Sequence, residues 1–294
     1  MLNGLVMQIA EFCAMLFPFD CMNAAFMQRA LLALLLIAPL AGISGLQVVN
    51  ARMAFFSDAI SHSAFAGVAI GVLCGFSTTL SMPLTAVAVG ALVMFLKQGS
   101  RLSSDTVIGV IFSAVAAFGL AIVAKDPGSA GNIQMFLFGD ILMISTEQIA
   151  ALGALLAAFI VFQCFAFNRL VLIGINPMLA AVHKVRVNLY QYCFAVLLSL
   201  VVIYSVRAAG VVLVTALLIV PAAAARNFAR NTRQMFILAL LFSYIACIGG
   251  LIASAQEEIN IPAGSAIVLC AVILFIFSEI FAAFRPRRTA DSGV

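Results

Sequence analysis

Charge is what this sequence has least of. Only 9% of its 294 residues are Asp, Glu, Lys or Arg, 65% are hydrophobic, and the mean hydropathy is +1.21. A soluble domain carries nearer a quarter charged residues, so these proportions exclude one and describe a chain folded in lipid. The net charge of +4 is modest and the basic residues fall in short loops between apolar runs, which argues against nucleic acid as a partner. Seven cysteines are scattered with no CxxC pair; Cys74, Cys164, Cys193, Cys247 and Cys270 lie in or at the ends of apolar runs, as small buried hydrophobes do. No GxxxxGK[ST] phosphate loop is present and no soluble stretch is large enough for a nucleotide domain, so the chain cannot itself hydrolyse ATP. HExxH, GxSxG and suitably spaced paired carboxylates are also missing, which leaves an intramembrane enzyme without a reaction centre. The first 26 residues lack Lys and Arg, and Glu11 and Asp20 interrupt their apolar pattern, so they read as an interfacial helix rather than a cleaved signal peptide.

What is there is a series of apolar runs of bilayer-crossing length, about 20 residues each. They occupy residues 28–50, 55–75, 78–97, 106–125, 146–168, 188–206, 234–255 and 262–284, with a shorter one at 210–225. The fold class is therefore an all-α polytopic membrane protein with eight or nine transmembrane helices. Arg52, Lys97 with Arg101, Arg169 through Arg186, Arg226 with Arg230 and Arg233, and the RPRR tail from Arg285 alternate with loops that are short or acidic. The positive-inside rule makes the basic set cytoplasmic, and nine spans with an external N-terminus satisfy it; eight do so if one short run is re-entrant. The opposite set holds Asp126, Asp140, Glu147, Glu257 and Glu258, with Lys125 and Arg207 as exceptions. This divides the chain into an N-terminal extracytoplasmic or interfacial segment (1–27), one membrane domain (28–284) and a basic cytoplasmic tail (285–294).

Histidine occurs only twice, and one of the two stands in the run FFSDAISHSAFAGVAIG, residues 55–71. In a helix, Asp58 and His62 lie one turn apart on one face, roughly 5–6 Å between Cβ atoms, close enough to grip one ion together. Carboxylate with imidazole suits zinc, manganese or iron(II), whereas magnesium and calcium favour oxygen-only cages. The plain alternative has Asp58 following a helix N-cap at Ser57 and His62 donating a hydrogen bond between helices. Keeping two ionisable groups on one intramembrane face costs on the order of 2.5–3.5 kcal/mol each, which favours a use for them.

Further along, the apolar residues 133–138 followed by Gly139 and Asp140 suggest a helix end or hairpin at a pathway mouth, with Asp140 attracting cations or capping a helix. INPMLAAVHKVRV (175–187) opens on an Asn-Pro pair that starts a turn or short helix, forming either a docking element or an ordinary basic loop, and His183 belongs to that loop. Pro221 either kinks its helix as a moving gate or marks the helix end. Glu279, near the cytoplasmic end of the last span, is expected to snorkel toward Arg285 or Arg287.

Taken together, SDAISHSAFAGVAIG, FLFGD, LLIVPAAAAR and IPAGSAIVL, in this order from about Phe26 to Phe284, resemble the permease subunit of bacterial zinc/manganese ABC importers. The resemblance implies a type II importer subunit in the bacterial inner (plasma) membrane. It also implies a homodimer with cytoplasmic ATP-binding subunits, fed by an extracytoplasmic metal-binding protein and carrying a divalent transition metal, zinc or manganese, rather than a resident cofactor. It assigns Asp58 and His62 to the metal pathway and the loop with Asn176, Pro177, Leu179 and Val182 to ATPase docking. The family often has acid-Pro-acid at the start of this loop and a glycine further on, where this sequence has Asn176, Pro177, Met178 and Lys184. The reading from another class is a proton-coupled secondary transporter in which Asp58 or His62 carries the proton, for which an inverted repeat between halves would be expected.

Overall fold

Apolar runs of this length leave the backbone only one way to satisfy its hydrogen bonds in lipid, and the chain takes it. The computed structural model describes residues 6–8, 10, 24–100, 102–123, 141–256 and 261–284, and their regular structure is helical. The elements in order are α1 (Ala25–Asn50), α2 (Phe56–Cys74), α3 (Thr78–Gly99), α4 (Ser104–Val123), a 3-10 turn (Ile141–Met143), α5 (Thr146–Ile175), α6 (Pro177–Val182), α7 (Val187–Ala209), α8 (Val211–Phe228), α9 (Thr232–Ser254) and α10 (Ala263–Phe284). Among the described residues, eight helices are long and apolar enough to cross a membrane. α2, at 19 residues and carrying Asp58 and His62, packs among them.

α1 is the most buried of those eight and forms the centre, packing against α5, α8 and α9. On one side α2 packs against α3 and α4, and α3 against α7; on the other α8, α9 and α10 pack together. α4 and α10 turn apolar side chains such as Val110, Phe118, Ile273 and Phe277 outward, which is the surface a lipid-facing helix presents. Pro39 lies within α1 and has no N–H for the carbonyl of Leu35, and the Tyr244 hydroxyl of α9 donates to that oxygen at 3.4 Å. At Gly45 the α1 backbone meets the Leu218 carbonyl of α8 so closely that any Cβ would collide with it.

The joints are short and specific. α1 ends in a Schellman motif: Arg52 N–H donates to Val49 O at 3.3 Å and Met53 N–H to Val48 O at 3.0 Å. α6 ends in the same way, with Lys184 N–H on Ala181 O at 2.9 Å and Val185 N–H on Ala180 O at 3.1 Å. Arg52 (φ 52°) and Lys184 (φ 58°) occupy the left-handed position that glycine usually fills, at a cost of roughly 1–2 kcal/mol each. Lys184 thus adopts the backbone a glycine would. A single residue, Gly210 (φ 87°, ψ 162°), reverses the chain between α7 and α8, its N–H donating to Val206 O at 2.8 Å. Side chains are all but excluded from that conformation, so Gly210→Ala is expected to cost about 1–3 kcal/mol. Lower yield of monodisperse protein and a lower melting temperature in detergent would register it; an unchanged melting temperature would contradict it.

Two expectations need correcting. α5 runs on to Ile175, so Arg169 belongs to a helix rather than to the following loop, and its guanidinium sits 5.0 Å over the Tyr190 ring of α7. α8 continues through Pro221 to Phe228, so Pro221 is interior to the helix and does not mark its end. Glu279 Oε1 accepts from the Asn227 amide at 2.8 Å, and the same amide donates to Ser278 Oγ at 3.0 Å, so the acid is held by α8. Residues Arg285 and Arg287 lie outside the described residues, as do Asp140, Glu257 and Glu258.

Candidate metal pathway and docking helix

α2 begins at Phe56, directly after the turn that closes α1, and Asp58 falls in its first turn. Ser57 is therefore inside the helix and caps nothing: it is fully buried and its hydroxyl has no partner. The same holds for Ser61, one turn on, while Ser63 donates to Ile60 O at 2.6 Å. Most of α2 between Phe56 and Gly71 is buried, with Asp58, His62, Phe65, Val68 and Ile70 partly exposed. Positions i, i+4 and i+7 form one stripe, so Asp58, His62 and Phe65 share one partly exposed face of the helix.

His62 is flanked by two aromatic rings, Phe65 of its own helix at 5.5 Å and Phe112 of α4 at 4.9 Å, both edge-on. The imidazole thus has an apolar surround on one side and Asp58 one turn below. At 1.5 Å per residue, Asp58 lies about 3 Å and His62 about 9 Å along the axis from the start of α2. The pair therefore sits toward the basic end of the bundle rather than at its middle, a depth that spacing alone did not reveal. Among the described residues no group of three His, Cys, Asp or Glu side chains converges, so one chain offers this pair and no third ligand of those types.

Pro221 is buried in α8, which packs mainly against α10, α9 and α1 and lightly against α2.

The Asn-Pro pair does start a short helix. The Asn176 side chain accepts from Met178 N–H at 2.9 Å and Leu179 N–H at 3.2 Å, and Pro177 takes the first helical position, where a missing N–H is harmless. Asn176 and Pro177 thus build α6 rather than form its contact surface. Ala180 is the residue of α6 that is buried, whereas Met178 is 82% exposed, Val182 78%, Ile175 73% and Leu179 45%. Met178, met in the sequence only as a departure from relatives, is the most exposed of these. His183 is exposed beyond the helix, away from any ligand set.

An eight-to-nine-span helical chain with an acid–imidazole stripe and a short, apolar, exposed helix between α5 and α7 invites comparison with transporters. Residues 23–282 match the ABC 3 transport family. The chain belongs to that family. It is 30% identical over 261 residues to the manganese transport system membrane protein MntC of Halalkalibacterium halodurans, covering 88% of each chain. The manganese import system permease ScaB of Streptococcus parasanguinis is 31% identical, over 86% of this chain and 89% of that one. The high-affinity zinc uptake system membrane protein ZnuB of Haemophilus influenzae is 30% identical, over 83% and 91%. Among solved structures, PsaBC from Streptococcus pneumoniae in complex with Fab superposes with a TM-score of 0.73 at 29% identity, over 92% of this chain and 95% of that chain. This ABC 3 family member is accordingly a multi-pass ABC transporter membrane protein whose relatives serve manganese and zinc systems.

Proposed function

We propose that this chain is the membrane-spanning subunit of an ATP-driven importer for a divalent transition metal, zinc or manganese, acting as a homodimer in the bacterial inner membrane. Residues 28–284 form the permease, residues 1–27 are an extracytoplasmic or interfacial segment and residues 285–294 are a cytoplasmic tail. Energy comes from a separate cytoplasmic ATP-binding subunit docked on α6, and metal arrives from an extracytoplasmic binding protein. The observation that carries this reading is the stripe on α2. A mostly buried helix keeps Asp58 and His62 partly exposed together on one face, and their mixed oxygen and nitrogen donors suit these metals. Two ligands are too few to hold such an ion, and a two-fold axis beside α2 supplies the other two. Relatives named for manganese and for zinc match equally well, so the reading stays at the divalent transition metal.

The test is reconstitution. In vesicles holding the permease with its ATP-binding subunit, radioactive zinc or manganese is expected to accumulate only with ATP inside the compartment that faces that subunit. The permease alone is expected to show no ATP hydrolysis above a mock preparation. Uptake driven by a proton gradient with no ATPase present would overturn the proposal in favour of a secondary transporter.

A further inference from the structure

At the basic end of the bundle six polar side chains line one cavity of about 370 Å³: Gln47 and Asn50 closing α1, Arg52 in its Schellman turn, Lys97 ending α3, Ser104 opening α4 and Gln191 in α7. Two of them, Arg52 and Lys97, are cations. The Asp105 carboxylate acts on Lys97 from outside the lining, so two cations face one neighbouring carboxylate and the balance stays positive. Gln47 is 3% exposed, and its amide nitrogen has no hydrogen-bond partner. A buried donor without a partner is rare and asks for an acceptor. Arg52 adds a second oddity, since it holds a left-handed position that glycine fills without strain. The turn geometry does not call for arginine; the cavity does.

The rest of the lining is apolar and includes Met53, Met94 and Phe194. A free inorganic anion would leave that wall unused, whereas an amphiphile with a phosphate at one end would use both parts. The basic loops place this end in the cytoplasmic leaflet, where anionic lipids concentrate and basic pockets between helices take their headgroups. We propose that the cavity binds the phosphate of an anionic phospholipid, with Arg52 and Lys97 facing the phosphate oxygens, the Gln47 amide donating to one of them, and the apolar wall holding the glycerol and first methylenes. The same cavity is bounded by Ile175 and Pro177 at the joint of α5 and α6. The lipid therefore braces the turn from which α2 and Asp58 depart against the start of the docking helix. That consequence rests on the proposed transport function; the binding does not.

Binding is measured on the purified full-length permease, stripped of lipid in detergent, by native mass spectrometry during titration with short-chain phosphatidylglycerol. One phosphatidylglycerol per chain is expected to be retained in preference to phosphatidylcholine, and inorganic phosphate at equal concentration is expected not to compete. Arg52→Gly removes the cation while suiting the turn better than arginine does, so the fold is kept and affinity falls about fivefold or more. Lys97→Gln is expected to do the same, and both variants are checked for monodispersity. Unchanged binding in both variants, equal retention of phosphatidylcholine, or displacement by inorganic phosphate would each overturn the proposal, the last by marking a free-anion site. None of these readouts depends on uptake, so failure here and failure of the importer reading are separable.

Discussion

Asp58→Asn and His62→Ala are each expected to remove most metal uptake, by at least about tenfold, with normal amounts of folded protein in the membrane. Loss even of a group that merely orients a metal ligand typically costs 10–100-fold, so loss of a ligand sets a floor at that level. Stability should be little affected: neither side chain is fully buried, and His62 packs edge-on against Phe65 and Phe112 without anchoring a hydrogen-bond network. The double variant separates mechanisms. If the two side chains hold one ion, removing the second after the first changes little, and the double variant is no worse than the more severe single one. If they act at separate steps, the losses multiply. Uptake by the reconstituted permease and its ATPase, compared at equal protein, reads the difference, and full uptake in either single variant would take that residue out of the pathway.

The spans were legible because lipid makes one demand throughout, an unbroken apolar run of about 20 residues, and the run at 146–168 fell short because α5 carries on through Asn168 and Arg169 into a second apolar stretch ending at Ile175. Arg169 misled the boundary: long basic side chains reach out of a helix, so charge does not end one, and this one lies over Tyr190. The Asp58–His62 pair was legible from spacing, since one turn of helix fixes which side chains share a face. Its depth was not, because that depends on where α2 starts, and the start is set by the Schellman turn at Arg52, a left-handed position with no glycine to announce it. The cavity beside that turn was hidden for the same reason: its lining comes from α1, α3, α4, α5, α6 and α7, and only packing brings them together. The Asn227–Glu279 contact was likewise invisible, joining residues 52 positions apart whose partnership depends on how α8 meets α10.

Charge placed on α6 is expected to uncouple the permease from its ATPase while leaving the membrane domain intact. Met178, Leu179 and Val182 project from a six-residue helix that is fixed at one end by the Asn176 cap and from beneath by buried Ala180. Apolar side chains this exposed at a water-facing end are interaction surface rather than core. Covering a fully exposed side chain of this size contributes roughly 1.5–3 kcal/mol, and because Leu179 is already about half covered, Leu179→Asp with Val182→Asp removes about 2 kcal/mol or more of contact and adds two charges to be desolvated. Each 1.4 kcal/mol is about tenfold in affinity, so the ATP-binding subunit should dissociate at least about 20-fold more readily. Met178→Asp alone should weaken assembly by about tenfold or more on the same arithmetic. Neither change touches the hydrogen bonds that build the helix, which come from the Asn176 side chain and the backbone. Co-purification of the ATP-binding subunit on a tagged permease measures the loss, and the melting temperature of the permease alone should stay at the wild-type value. Retention of the ATPase with normal uptake in the double variant would place docking elsewhere on the basic end, with the loop between α8 and α9 that carries Arg230 the next surface to alter.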